Sequence, residues 1–305
     1  MSTTPAAPNA ATRPLDALAT LVVIGLCLSW GFNQVSVKLA IHDIPPLTQA
    51  TIRSIIAGVI VWAWMWLRGL PLFARDATLW PGILCGVCFG MEFVMIYQGL
   101  NYTTASRAIL FIYLAPFFVV LGSLWVVPAD TFSRQQWLGL LLSFIGMVVA
   151  FGAPTPAVDA RQVIGDVMMV AAAFFWAMTT LLIKGTAIRH VSSEKAMMYQ
   201  LAVSVPLLAV GALIAGEHMS LNTAPSALAI AAVAYQALYV VPVTFVIWFA
   251  LIVRYSAGRL SAFTFLTPLF GVAAGHFVLG DPITPAFALA VALVAVGLIL
   301  VNRAR

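Results

Sequence analysis

Ten runs of about 20 mostly apolar residues follow one another along this chain, and each is long enough to cross a bilayer as a helix. They fall at about 17–38, 47–67, 79–99, 105–127, 135–152, 164–184, 196–215, 226–251, 258–279 and 284–302. Charged residues make up 8% of the 305, where a soluble domain carries about 25%. Backbone N–H and C=O groups surrounded by lipid must bond within their own segment, so runs of this length read as helices. The sequence predicts an all-α integral membrane protein with ten transmembrane helices.

Residues 1–15, rich in Ala, Pro and Thr, hold too little apolar surface to fold and read as a disordered cytoplasmic tail. The first run is too long for a signal peptide and lacks a small-residue cleavage site, so it reads as a retained span. The net charge of +5 reflects membrane orientation and does not call for a nucleic-acid partner. With both termini inside, eleven Lys/Arg lie on the cytoplasmic side, and only Lys38, Arg107 and Arg161 lie outside. Arg53 falls within helix 2. Cys27, Cys85 and Cys88 all sit inside spans and read as small core thiols, despite the C-x-x-C spacing of the last two.

The two halves echo each other. Trp30–Lys38, Trp-Gly-Phe-Asn-Gln-Val-Ser-Val-Lys, returns as Trp176–Lys184, Trp-Ala-Met-Thr-Thr-Leu-Leu-Ile-Lys. Asn33 and Gln34 answer to Thr179 and Thr180, three and four residues after each Trp and so on its helical face. Arg107 and Phe111-Ile-Tyr-Leu-Ala-Pro116 return as Arg259 and Phe263-Thr-Phe-Leu-Thr-Pro268. Beyond each Pro come an acidic loop, at Asp130 and Asp281, and a last helix bearing Gly146 or Gly297. This divides the chain into a first five-helix repeat, 16–152, an external linker, 153–163, and a second repeat, 164–305. Five is odd, so the second repeat is inserted upside down, as in many secondary transporters whose substrate site lies at midplane between the repeats.

Ten helices in two halves, with Trp30-Gly31, Trp176, Leu114-Ala-Pro116, Leu266-Thr-Pro268 and the turn Leu279-Gly-Asp281-Pro282, resemble the EamA-type drug/metabolite transporters. The resemblance covers nearly the whole chain. The family's turn usually reads Leu-Gly-Glu, whereas this chain has Asp281 there and Val-Pro-Ala-Asp130 in the first half. The abundance of aromatics is most similar to the YddG-type aromatic amino acid exporters. That likeness implies a multi-pass protein of the cell inner membrane with a cavity lined by helices 1, 3, 4, 6, 8 and 9.

Glu92 is the only acidic residue deep in a span, where a charge costs about 2.5–3.5 kcal/mol on insertion scales. It reads as a cavity residue that meets a substrate ammonium or carries a proton, or else as the partner of Arg53. Gly82, Gly86 and Gly90 form a packing stripe on another face of the same helix. Arg53 reads first as a structural bridge or a snorkelling cation, and His276 as bonded to a neighbouring helix. Pro116 and Pro268, at matched positions, predict kinks that suit opposite gates; Pro206 and Pro242 read as static bends. Trp62, Trp64, Trp66 and Trp80 read as an interfacial belt. The expected substrate-binding set is Trp30, Asn33, Glu92, Phe111, Tyr113, Trp176, Thr179 and Phe263, with Tyr97 and Tyr239 at its margin.

H-E-x-x-H, G-x-S-x-G and P-loop patterns are absent and no two carboxylates share a span, so the sequence suggests neither an enzyme nor a cofactor or metal. The reading is a secondary transporter that exports small amphipathic metabolites, foremost aromatic or large apolar amino acids, by alternating access. A broad-range drug or solute permease is the alternative, and a channel-like or receptor protein the rival from another class. The partners are a small molecule and the lipid bilayer; a monomer is plausible, and nothing in the sequence excludes a dimer.

Overall fold

A computed structural model describes residues 15–72, 76–127, 131–153, 159–218 and 224–303. Most of the predicted tail, Asp130 and the middle of the predicted linker fall outside the described residues. Ten apolar helices follow in order: α1 (Ala17–Ala40), α2 (Pro46–Leu67), α3 (Leu79–Gly99), α4 (Ala105–Val126) and α5 (Arg134–Phe151), then α6 (Ala160–Gly185), α7 (Ser193–Ile214), α8 (Ala227–Arg254), α9 (Ala257–Leu279) and α10 (Pro285–Arg303). No strand occurs among the described residues. The predicted spans are recovered, with α6 starting four residues earlier and α8 ending three later than the runs suggest.

Side-chain caps start most of these helices where the chain enters lipid. Asp16, Thr104, Asp159, Ser192, Ser226 and Ser256 each accept from a backbone N–H of the first turn, and Ser133 forms a capping box with Gln136. Each such cap contributes about 1 kcal/mol by filling an otherwise empty donor. Trp62, Trp64, Trp66 and Trp80 are all about half exposed or more, as a belt requires.

The packing repeats as the sequence does. α1 lies on α9 as α6 lies on α4, and α3 lies against α6 and α7 as α8 lies against α1 and α2. α2 with α7 and α5 with α10 close the pattern on its own axis. Small residues permit these contacts. A Cβ on Gly31 would lie 2.7 Å from the Gly271 nitrogen, and the Gly82, Gly86 and Gly90 stripe seats Tyr199, Val203 and Leu207 of α7. Five spans in each half make the second repeat cross the membrane in the opposite sense.

Acidic groups stitch the halves together at both ends of the bundle. At the end remote from the termini, Asp166 holds Arg107, and Glu217 takes the Leu47 and Thr48 backbone N–H groups at 3.0 and 2.8 Å. At the terminal end, Lys195 donates to Asp76 at 2.6 Å. The Lys195 and Thr78 hydrogen bonds hold the Asp76 carboxyl down at about 2, below its usual range. A carboxyl depressed on folding stabilises above its unfolded pKa, and that contribution fades as pH falls through the folded value. The Asp76–Lys195 tie is therefore expected to persist at pH 4 and to open toward pH 2. Amide exchange of Thr78, whose N–H also donates to Asp76, should rise between those pH values beyond the intrinsic change, and a flat protection factor would contradict it.

Candidate functional site

Two of the ten helices are broken, and at matched places. α4 runs Ala105–Ile112 and resumes at Ala115, while α9 runs Ala257–Phe263 and resumes at Leu266. Each break lies just ahead of its proline, Pro116 or Pro268, whose ring nitrogen has no proton to give the preceding turn. Thr104 caps the Arg107 N–H before the first break, and Ser256 caps the Arg259 N–H before the second. The two prolines thus mark equivalent points in both repeats.

A third irregularity lies at Pro242, one of the two prolines expected to make a static bend. α8 carries a π-helical segment, Gln236–Thr244, with Pro242 inside it. Such segments are rare and gather at functional sites because they re-aim side chains. Here the segment delivers Thr244, whose hydroxyl bonds back to the Val240 carbonyl at 2.5 Å and accepts the Trp30 indole N–H at 2.9 Å. The unmatched Pro242 was the available signal for it.

Trp30 anchors a run of rings. It stacks on Phe245 at 5.7 Å and meets Trp248 edge-on at 5.3 Å. Phe245 touches Phe89, Phe89 touches Phe93, and Phe93 stacks on Tyr97. A second run starts at Trp176, which meets Tyr113 edge-on at 5.8 Å, and passes through Phe265 and Phe144 to Phe117. Ring pairs of this kind add about 0.5–1.5 kcal/mol each beyond area burial.

Glu92 stands beside the second run. Gly99 of α3 packs on Met169 of α6, and these helices are antiparallel. Glu92 lies seven residues before Gly99 and Trp176 seven after Met169, about two turns along each helix. The two are level and on facing surfaces. Glu92 is half-buried and makes no hydrogen bond or ion pair with a described residue. Tyr113 lies within its electrostatic reach, and Cys27 and Thr267 adjoin the Tyr113 hydroxyl. The Thr267 hydroxyl is buried there.

The repeat relates these groups to the first run. From Thr103 and Tyr255 back into α3 and α8 the halves align without a gap, so Glu92-Phe93 corresponds to Thr244-Phe245 and Trp176 to Trp30. In the second half's copy the indole is bonded to Thr244 and stacked on Phe245. In the other copy Trp176 rests on Tyr113, Glu92 has no partner among the described residues, and Phe93 lies under Arg53. One polar-aromatic set is closed on itself and its counterpart is open.

The remaining expected residues divide. Trp30 lies in the first ring run, and Trp176 and Tyr113 lie in the second, with Glu92 in electrostatic reach of Tyr113. Phe111 lies instead under the Arg107 guanidinium at 5.5 Å, toward the end of the bundle. Phe263 is buried, with its carbonyl accepting the Cys27 thiol at 3.3 Å. Thr179 spends its hydroxyl on the Phe175 carbonyl, and Thr180 on that of Trp176, so these groups bond within their own helix. Asn33 is half-buried beside Ser36. His276 is exposed and contacts the Asp281 carbonyl in the loop after its own helix, not a neighbouring helix. Arg53 neither snorkels nor forms the expected bridge: it is 2% exposed and has no ion pair with a described residue.

Comparison with known proteins agrees with this architecture. The EamA-like transporter family model matches twice, over residues 17–152 and 163–303. The chain belongs to that family, and with it to the drug/metabolite transporter superfamily. It is similar to the "Uncharacterized transporter YoaV" of Bacillus subtilis, at 22% identity over 92% of this chain and 95% of that one. A "Probable amino-acid metabolite efflux pump" of Salmonella typhimurium is 27% identical over 88% of this chain and 87% of its own. A crystal structure superposes on 94% of this chain and 96% of its own with TM-score 0.78 at 20% identity, a likeness of fold alone.

Proposed function

We propose that this transporter exports small amphipathic amino acids, those with aromatic or large apolar side chains, across the inner membrane by alternating access. The observation that carries the reading is Glu92, a carboxyl without a partner among the described residues, set near Trp176, Tyr113 and the Phe89–Phe93 rings. An apolar, aromatic cavity with few polar groups holds such a side chain, while the carboxylate meets its ammonium. The relatives named as amino-acid metabolite efflux pumps support the same substrate class.

In this reading both termini are cytoplasmic and the repeats 16–152 and 164–305 rock against each other about the breaks at Pro116 and Pro268. A single copy in the bilayer suffices. Counterflow in proteoliposomes tests the substrate. Labelled phenylalanine should be driven in by internal phenylalanine, tryptophan or leucine, and not by internal aspartate or lysine. Equal drive by all five favours the broad-range permease, and drive by the charged pair alone removes the aromatic reading.

A further inference from the structure

Arg53 is a cation at membrane depth that forms no ion pair or hydrogen bond with a described residue. Its guanidinium lies 4.7 Å from the centroid of Phe93, and its Nε, fully enclosed, has no hydrogen-bond partner among the described residues. Charges in such positions cost several kcal/mol unless paired. A ring face offsets only part of that cost. Glu92 lies within electrostatic reach of Arg53 but not in contact with it.

The fold does not need a cation there. α2 (Pro46–Leu67) and α7 (Ser193–Ile214) are equally long, and matched from their first residues they place Gln200 at the position of Arg53. Gln200 directs its amide to the Ala196 carbonyl of its own helix. Equivalent helices thus carry a neutral amide in one copy and a guanidinium in the other. The neighbouring Phe93 makes the same contrast, because its counterpart Phe245 carries the Trp30 ring.

We infer that Arg53 is the carboxylate-binding pole of the substrate site, paired across the Phe89–Phe93 wall with Glu92 as the ammonium pole. The inference rests on the amino-acid reading above for the ammonium, but the carboxylate half stands by itself. An arginine fork matches a carboxylate in two parallel hydrogen bonds, with the Nε proton as one of the donors. A ligand carboxylate would thus supply both the missing anion and the missing acceptor. The site would then select zwitterions with an apolar side chain over amines or acids alone.

The test uses purified full-length protein and matched probes: 3-phenylpropionate, its neutral amide 3-phenylpropionamide, and phenylalanine. Binding is read by quenching of tryptophan fluorescence, so transport is not required. The wild type should bind the acid at least tenfold more tightly than the amide. Arg53→Gln should remove that preference by weakening the acid alone, and Arg53→Lys should keep part of it. Size-exclusion profiles establish that each variant is folded. If acid and amide bind the wild type equally, or Arg53→Gln weakens both alike, the proposal is overturned and Arg53 is structural. If 3-phenylpropionate binds with the expected preference while phenylalanine shows neither binding nor counterflow, the carboxylate pole stands and the amino-acid reading falls.

Discussion

Asp166→Asn is expected to destabilise the protein by about 3–5 kcal/mol, because it leaves a buried arginine without its counter-ion. Arg107 gives its Nη2 to Asp166 at 2.5 Å and its Nε to the two carboxylate oxygens at 3.1 and 3.2 Å, and Thr103 adds a third donor at 2.6 Å. Both side chains are only about a tenth exposed, 10% and 12%. The pair joins the start of α4 to α6, one from each repeat, so its loss loosens an inter-repeat seam. The Lys38–Asp281 pair also joins the repeats, but its side chains are 61% and 49% exposed. Lys38→Ala should therefore cost about 0–1 kcal/mol. Thermal unfolding of the two variants in detergent compares them directly. A fall in Tm for Lys38→Ala as large as that for Asp166→Asn would contradict the assignment.

Glu92→Gln is expected to abolish uphill accumulation driven by a pH gradient while leaving substrate exchange in place. The Glu92 carboxyl makes no hydrogen bond or ion pair with a described residue, so it is free to take a proton or a ligand ammonium. Glutamine keeps its shape and hydrogen-bonding capacity and removes the titration. Losing a charge-assisted contact of about 1.5–3 kcal/mol should also raise the half-saturating concentration by roughly 10- to 100-fold. Proteoliposome assays with and without an imposed pH gradient separate the two effects. Accumulation that stays pH-dependent in Glu92→Gln removes the proton-carrying role, and an unchanged half-saturation removes the ammonium contact.

The fold was legible because lipid imposes simple rules. Length and apolarity identify spanning helices without reference to packing, and the order of Trp, Lys, Arg and Pro exposes the duplication. The prolines were legible too, since the chemistry of Pro116 and Pro268 alone demands a break. The site was only partly so. Helical spacing correctly placed Asn33 and Thr179 on the faces of Trp30 and Trp176, but spacing cannot tell whether a hydroxyl turns outward or bonds to its own helix, as Thr179 does. The same limit applies to Phe111, whose place depends on Arg107 being drawn to Asp166. Thr244 was invisible for another reason: a π segment shifts its register relative to an ideal helix, so no period of 3.6 points to it. Cations in spans usually pair or snorkel, whereas Arg53 is enclosed and has no ion pair with a described residue.

The central claim is that the two repeats form a carrier with one site exposed in turn to each side, and trans-stimulation tests that most directly. Efflux of labelled phenylalanine from proteoliposomes would be followed with and without saturating unlabelled phenylalanine outside. A carrier reorients faster when loaded, so external substrate should accelerate efflux several-fold, and the rate should saturate with internal concentration. Efflux that rises linearly with concentration and ignores the external substrate would contradict alternating access and indicate a pore.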